Sequence, residues 1–165
     1  MTTTPPRRPT PADIELLAFA QQAELAARDL FAAAVDNGVG GDHQASIACI
    51  AAHHDAASQA ISALIGRNAP QARLDSLFAA QRNAFLKDDS FATSAWQLEN
   101  TLVATHVSLL GTLDGTEGSA LVASIVTAES RHAAALAAIA GLSPVADADA
   151  YLSLPADAAA LSPEA

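Results

Sequence analysis

The stretch that decides the fold is AESRHAAALAAIAG, Ala128–Gly141. Alanine, leucine and isoleucine make it a strong helix former suited to close packing, and Gly141 gives it a stop. Glu129 and His132 stand three residues apart within it. That is nearly one helical turn, so a carboxylate and an imidazole lie one above the other on the same face. The geometry is a chelating one, set in an otherwise apolar helix. Working backwards, Val122, Ile125, Glu129, His132, Leu136 and Ile139 recur at helical spacing, which predicts one inward-facing stripe from the Asp114-Gly115-Thr116 turn to Gly141.

Upstream of that turn, Ala92, Ala95, Glu99, Leu102, Val103, His106 and Leu110 form one side of a helix predicted from about Asp89 to Leu113. The short turn makes these two helices antiparallel neighbours. Near the N-terminus, Thr10-Pro11-Ala12-Asp13 has the form of an N-cap, a proline at the first helical position and an acid at the third. The helix it starts should run to about Asn37, where Gly38, Gly40 and Gly41 end it, with Leu17, Ala20, Glu24, Ala27, Phe31 and Ala34 facing inward. A further helix from about Asp42 to Gly66 carries Ile47, Ile50, His54, Ala57, Ile61 and Leu64. The section Arg67 to Asp89 is too long for a hairpin loop. It should carry the chain back along the bundle, with Pro70 near the start of a short helix through Leu74, Leu77, Phe78 and Phe85. The fold class is all-α, a four-helix bundle with a long crossover between its second and third helices.

Composition agrees. Half of the 165 residues are apolar but only 4% are aromatic, the excess being alanine, which favours packed helices over strands. The length suits one domain. Residues 1–10 are expected to be a disordered tail, 11–141 the bundle, and 142–165 an irregular tail with Tyr151, Leu152 and Leu154 as anchors. The net charge of -10 and scattered basic residues give no stripe for neutralising phosphates, so no nucleic acid is expected. No apolar run reaches the roughly 18 residues of a membrane span, so no membrane insertion is expected. Cys49 stands alone and excludes an intrachain disulfide. With no recognisable signal peptide, a cytoplasmic location is the expectation, and the expected assembly is a homodimer.

Each long helix places a titratable side chain about midway along its apolar stripe: Glu24, His54, Glu99, and Glu129 with His132. An unpaired carboxylate in hydrocarbon costs several kcal/mol or takes up a proton, so converging acids need a cation or a hydrogen-bonded network. A metal ion meets that need, with Glu24, His54, Glu99, Glu129 and His132 as candidate ligands and His53, His106 and Arg131 as candidate supporting residues. The alternatives are a hydrogen-bonded Glu129–His132 pair, an ion pair of Glu24 with Arg28 or Arg131, and a core role for His54.

The segments AELAARDLF (23–31), HHDAASQAISALIG (53–66), QLENTLVATHVSLL (97–110) and AESRHAAALAAIAG (128–141) together resemble the ferritin-like superfamily of carboxylate bundles, in particular its divergent bacterial branch. That family draws one Glu from each of two helices and a Glu-x-x-His pair from each of the other two. On this pattern Glu24 and Glu99 match the single acids and Glu129 with His132 matches one pair. The second helix departs: His54 stands where the glutamate is expected, and Ala57 where the histidine is expected. The half-site of Glu99, Glu129 and His132 is complete, whereas the one around Glu24 has lost a ligand. The resemblance implies iron or manganese, in an altered or incomplete centre of as little as one ion, with zinc also compatible. It implies oxidoreductase chemistry if the centre is active. The competing expectation is a bundle without a metal, acting by binding a partner or by dimerising.

Overall fold

A computed structural model describes residues 4–155 and 157–163. Among these the regular structure is entirely helical: α1 (Pro11–Asp36), α2 (Gln44–Ile65), α3 (Asp75–Phe85), α4 (Asp88–Leu110), α5 (Thr116–Ile139) and a short α6 (Asp149–Leu152). The pairs α1/α2 and α4/α5 form two hairpins, and α3 packs against α1 and α4 within the crossover. The long crossover therefore lies where the sequence places it. Pro70 does not open its helix. The chain stays irregular there, with Gln71 at φ 57°, and α3 begins only at Asp75. Gln21 of α1 holds this stretch by donating to Ser62 Oγ at 2.6 Å and accepting from the Gln71 N–H at 3.1 Å.

The apolar stripes build two clusters. One contains Leu30, Phe31, Ile47, Phe85, Phe91 and Leu102, and the other Leu17, Ala20, Ile61, Leu109, Val122 and Ile125. Between them lies a polar layer of fully enclosed Glu24, His54, Glu99, His106 and Glu129, with His132 at 7% exposure. Hydrocarbon above and below the layer lowers the polarity around it, which sets its electrostatics.

The end of the bundle that carries the α4–α5 turn is tied by Asp13. The reciprocal bonds between Thr10 and Asp13, at 2.8 and 3.2 Å, form the expected capping box. Asp13 also accepts from the N–H groups of Asp114 and Gly115, both at 2.9 Å. Gly115 is required by this close approach: a Cβ there would lie 2.8 Å from Arg8 O and 3.0 Å from Asp13 Oδ2. The first N–H groups of α5 are satisfied by backbone, Thr116 to Pro6 O and Glu117 to Arg7 O, each at 3.0 Å. Of the tail expected to be disordered over 1–10, residues 1–3 lie outside the described residues, and from Pro6 onward it is docked as this cap.

Burial pushes the Asp13 carboxyl up, but the N–H groups of Thr10, Asp114 and Gly115 outweigh it and hold the pKa below its ordinary value. Asp13→Ala is expected to destabilise the fold by about 2–3 kcal/mol in urea unfolding near neutral pH. A depressed folded-state pKa contributes stability above the unfolded value and loses it as pH falls through the folded one. The gap between wild type and variant should therefore shrink in acid, and a constant gap would refute this role.

At the other end, Tyr151 anchors the chain by donating to Leu142 O at 2.7 Å. Leu152 and Leu154 are exposed and do not act as the anchors expected of them. Leu161 does instead: it packs on the first cluster, and its N–H donates to Thr105 Oγ1 at 2.9 Å.

Candidate metal centre

The five candidate ligands reach one level because each replaces an apolar residue at the middle of its helix's stripe. His54 stands at the centre. Its Nδ1 is 2.9 Å from Glu24 Oε2 and its Nε2 is 3.0 Å from Glu99 Oε1. Both ring nitrogens face carboxylate oxygens, an arrangement satisfied in the metal-free protein by a ring protonated at both nitrogens. Burial disfavours that charge, but Glu99 and Glu24 outweigh burial and raise the His54 pKa well above its ordinary value. Burial likewise raises the Glu24 and Glu99 carboxyls, and His54 overcomes it, leaving both pKa values lowered.

Glu129 behaves oppositely. Burial, then repulsion from Glu24 and Glu99, pushes its pKa well above the ordinary carboxylate value. His106 Nδ1 lies 2.9 Å from Glu129 Oε2. Burial lowers the His106 pKa, and this outweighs the pull of Glu24, so the ring is neutral. Its Nε2 is 3.5 Å from Glu24 Oε1.

On the sequence reading the Glu24 side has His54 in place of a glutamate and a lost histidine at Ala57, and the structure brings a further imidazole to that side. Ala57 supplies none, but His106 reaches across from α4 and lies between Glu24 and Glu129. His106 sits seven residues after Glu99, two turns along the same face, and that spacing was the available signal. Arg28 pairs with Asp29 at 2.7 Å and Asp55 at 3.2 Å, so it does not neutralise Glu24. Arg131 is exposed and contacts no buried acid within ion-pair distance among the described residues.

On the other side of His54, His132 Nδ1 lies 3.3 Å from Glu99 Oε1, while its Nε2 is 2.8 Å from Nδ1 of exposed His53. Two groups can each hold an ion, with ligand atoms within 4.8 Å of one another: Glu24, His54 and Glu129, and His54, Glu99 and His132. The test of fit is hydrogen bonding. Glu24 Oε1, Glu129 Oε1, His106 Nε2, Glu99 Oε2 and His132 Nδ1 are buried without a partner, whereas buried polar atoms ordinarily have one. These five atoms are all ligand types for a transition metal, so the residues present fit an ion.

A cleft of about 380 Å³ between α2 and α5 leads to the centre, lined by Ala56, Ala57, Ala60, Leu121, Ile125 and Ala128 and reaching Glu24, His54, Glu129 and His132. Small side chains on α2, Ala57 among them, hold it open.

The model of the ferritin-like domain family matches residues 12–142. No curated protein matches the chain, and no solved structure matches it. The match spans α1 through α5 and includes every side chain of the polar layer, and the chain belongs to the ferritin-like domain family.

Proposed function

We propose that the protein is a ferritin-like metal-binding protein whose centre takes iron or manganese and acts in redox chemistry. The observation that carries this reading is the set of five unpartnered ligand atoms converging at one level. Each would cost about 1–3 kcal/mol if left unsatisfied. On one side of His54, Glu24, Glu129 and His106 would hold an ion; on the other, Glu99 and His132 would. Three carboxylates with two imidazoles form the mixed oxygen and nitrogen set that suits iron or manganese and also accommodates zinc. A bound iron or manganese would supply the electrons for reducing dioxygen or peroxide. The chain's own contribution is to place Glu129 beside Glu24, to orient His106 and His132, and to enclose the layer between two apolar clusters. A cytoplasmic homodimer belongs to the same proposal. Among the described residues, no helix is long and apolar enough to cross a membrane.

Untagged protein purified without chelators, then incubated anaerobically with Fe(II) or Mn(II), should carry one to two ions per chain by elemental analysis, and its Tm should rise on loading. Fewer than about a tenth of an ion per chain under all these conditions would reject the reading.

A second reading has its own support. The His54 imidazolium between Glu24 and Glu99 is an internal cation that neutralises part of the acid cluster without metal. On that reading the bundle is structural or binds a partner, and neither Tm nor metal content responds to Fe(II) or Mn(II).

A further inference from the structure

His53 belongs to neither half of the centre, yet it is joined to it. It is exposed on α2 and lines the cleft together with the buried ligands. Its ring is stacked on His132 at 5.1 Å between centroids, with the planes 12° apart. We propose that His53 is the loading residue of the centre, taking a divalent ion at the cleft and passing it inward through His132. This inference rests on the reading of the centre as a metal site.

His132 is suited to the transfer because it faces both ways. Its Nε2 meets His53 at 2.8 Å, and its Nδ1 is directed to Glu99 at 3.3 Å. Two imidazole nitrogens bound to one tetrahedral ion lie roughly 3.3 Å apart. Opening the pair from 2.8 Å and turning both nitrogens onto a shared point would let both rings coordinate one ion. The ion would then pass to Nδ1 of the same ring and to Glu99, and the bond between His53 Nδ1 and His132 Nε2 would reform behind it.

The alternative, one-step entry, would require a hydrated ion to shed its water only among fully buried acids, where desolvation is most costly. Exchange of water for one exposed imidazole and then a second divides that cost. Arg131 lines the same cleft, and its charge opposes a cation there, so entry needs a ligand and not merely an acidic mouth. The cavities beneath the C-terminal chain offer no such route, since none of the centre's side chains lines them.

The test is stopped-flow absorbance of metal-stripped protein mixed with Co(II), with the final stoichiometry read separately by titration. His53→Ala should load roughly tenfold more slowly than wild type and reach the same final stoichiometry. His53→Asp, which restores a ligand, should recover most of the rate. Ala56→Leu, which narrows the cleft from an exposed position, should also slow loading. Equal rates for wild type and His53→Ala would overturn the proposal. A lower final stoichiometry in His53→Ala would overturn it too, because His53 would then be a permanent ligand. Wild type that takes up no Co(II) would instead strike at the metal reading itself and remove this inference with it.

Discussion

Replacing His54 with leucine is expected to destabilise the metal-free protein by about 3–5 kcal/mol, the cost of breaking a buried ion pair by removing one partner. The imidazolium is the cation bonded to both Glu24 and Glu99, and leucine fills similar space without neutralising either. In the variant those carboxyls must be charged without a counterion or take up protons. The pH dependence follows from the cited directions. The raised His54 pKa contributes stability that is lost as pH rises through the folded value. The lowered Glu24 and Glu99 pKa values contribute stability that is lost as pH falls through theirs. The clamp is therefore strongest between these limits, around neutral pH, and the gap between wild type and His54→Leu should narrow toward both extremes. Urea unfolding across pH in the presence of a chelator measures this. A gap below about 1 kcal/mol at neutral pH would mean that the acids are neutralised by something other than His54.

The same clamp explains which parts of the centre were legible in the sequence. Glu24, His54, Glu99, Glu129 and His132 each break an apolar stripe at the same height, a signal internal to one helix. His106 was underrated because its importance depends on a neighbour: it matters through lying between Glu24 of α1 and Glu129 of α5. Ala57 offers no ligand atom from its side chain, and the imidazole supplied from α4 does not show in the pattern of α2. Helix limits were legible to within a few residues where a side chain signals them, as the Thr10–Asp13 capping box does for α1. The terminal segments were misjudged for a related reason. Pro6 and Arg7 cap α5 through their carbonyls, and the chain near Leu161 is fastened through its N–H, and every residue type has those groups.

Phe31→Ala is expected to destabilise the protein by about 3–5 kcal/mol, the range for removing a buried phenyl ring, and to lower Tm by on the order of 10 °C. Phe31 is fully enclosed. It meets Phe85 edge-on at 5.3 Å and Phe91 edge-on at 6.3 Å between ring centroids, so truncation leaves a void walled by two other rings that belong to the same tight cluster. The ring also lies stacked on His54, with centroids 5.5 Å apart and planes 14° apart. It is thus the apolar floor that keeps the imidazole in the plane joining Glu24 to Glu99. Without it the ring gains room to tilt, and its two hydrogen bonds, which depend on that plane, should weaken. Leu17→Ala, at the centre of the opposite cluster, provides the comparison, with a cost of about 2–5 kcal/mol but no contact with His54. Unfolding in urea should therefore show a loss in both variants, whereas the NMR resonances of the His54 ring N–H protons should shift or broaden in Phe31→Ala alone. Unchanged His54 resonances in Phe31→Ala would show that the acids orient the imidazole without help from the aromatic cluster beneath it.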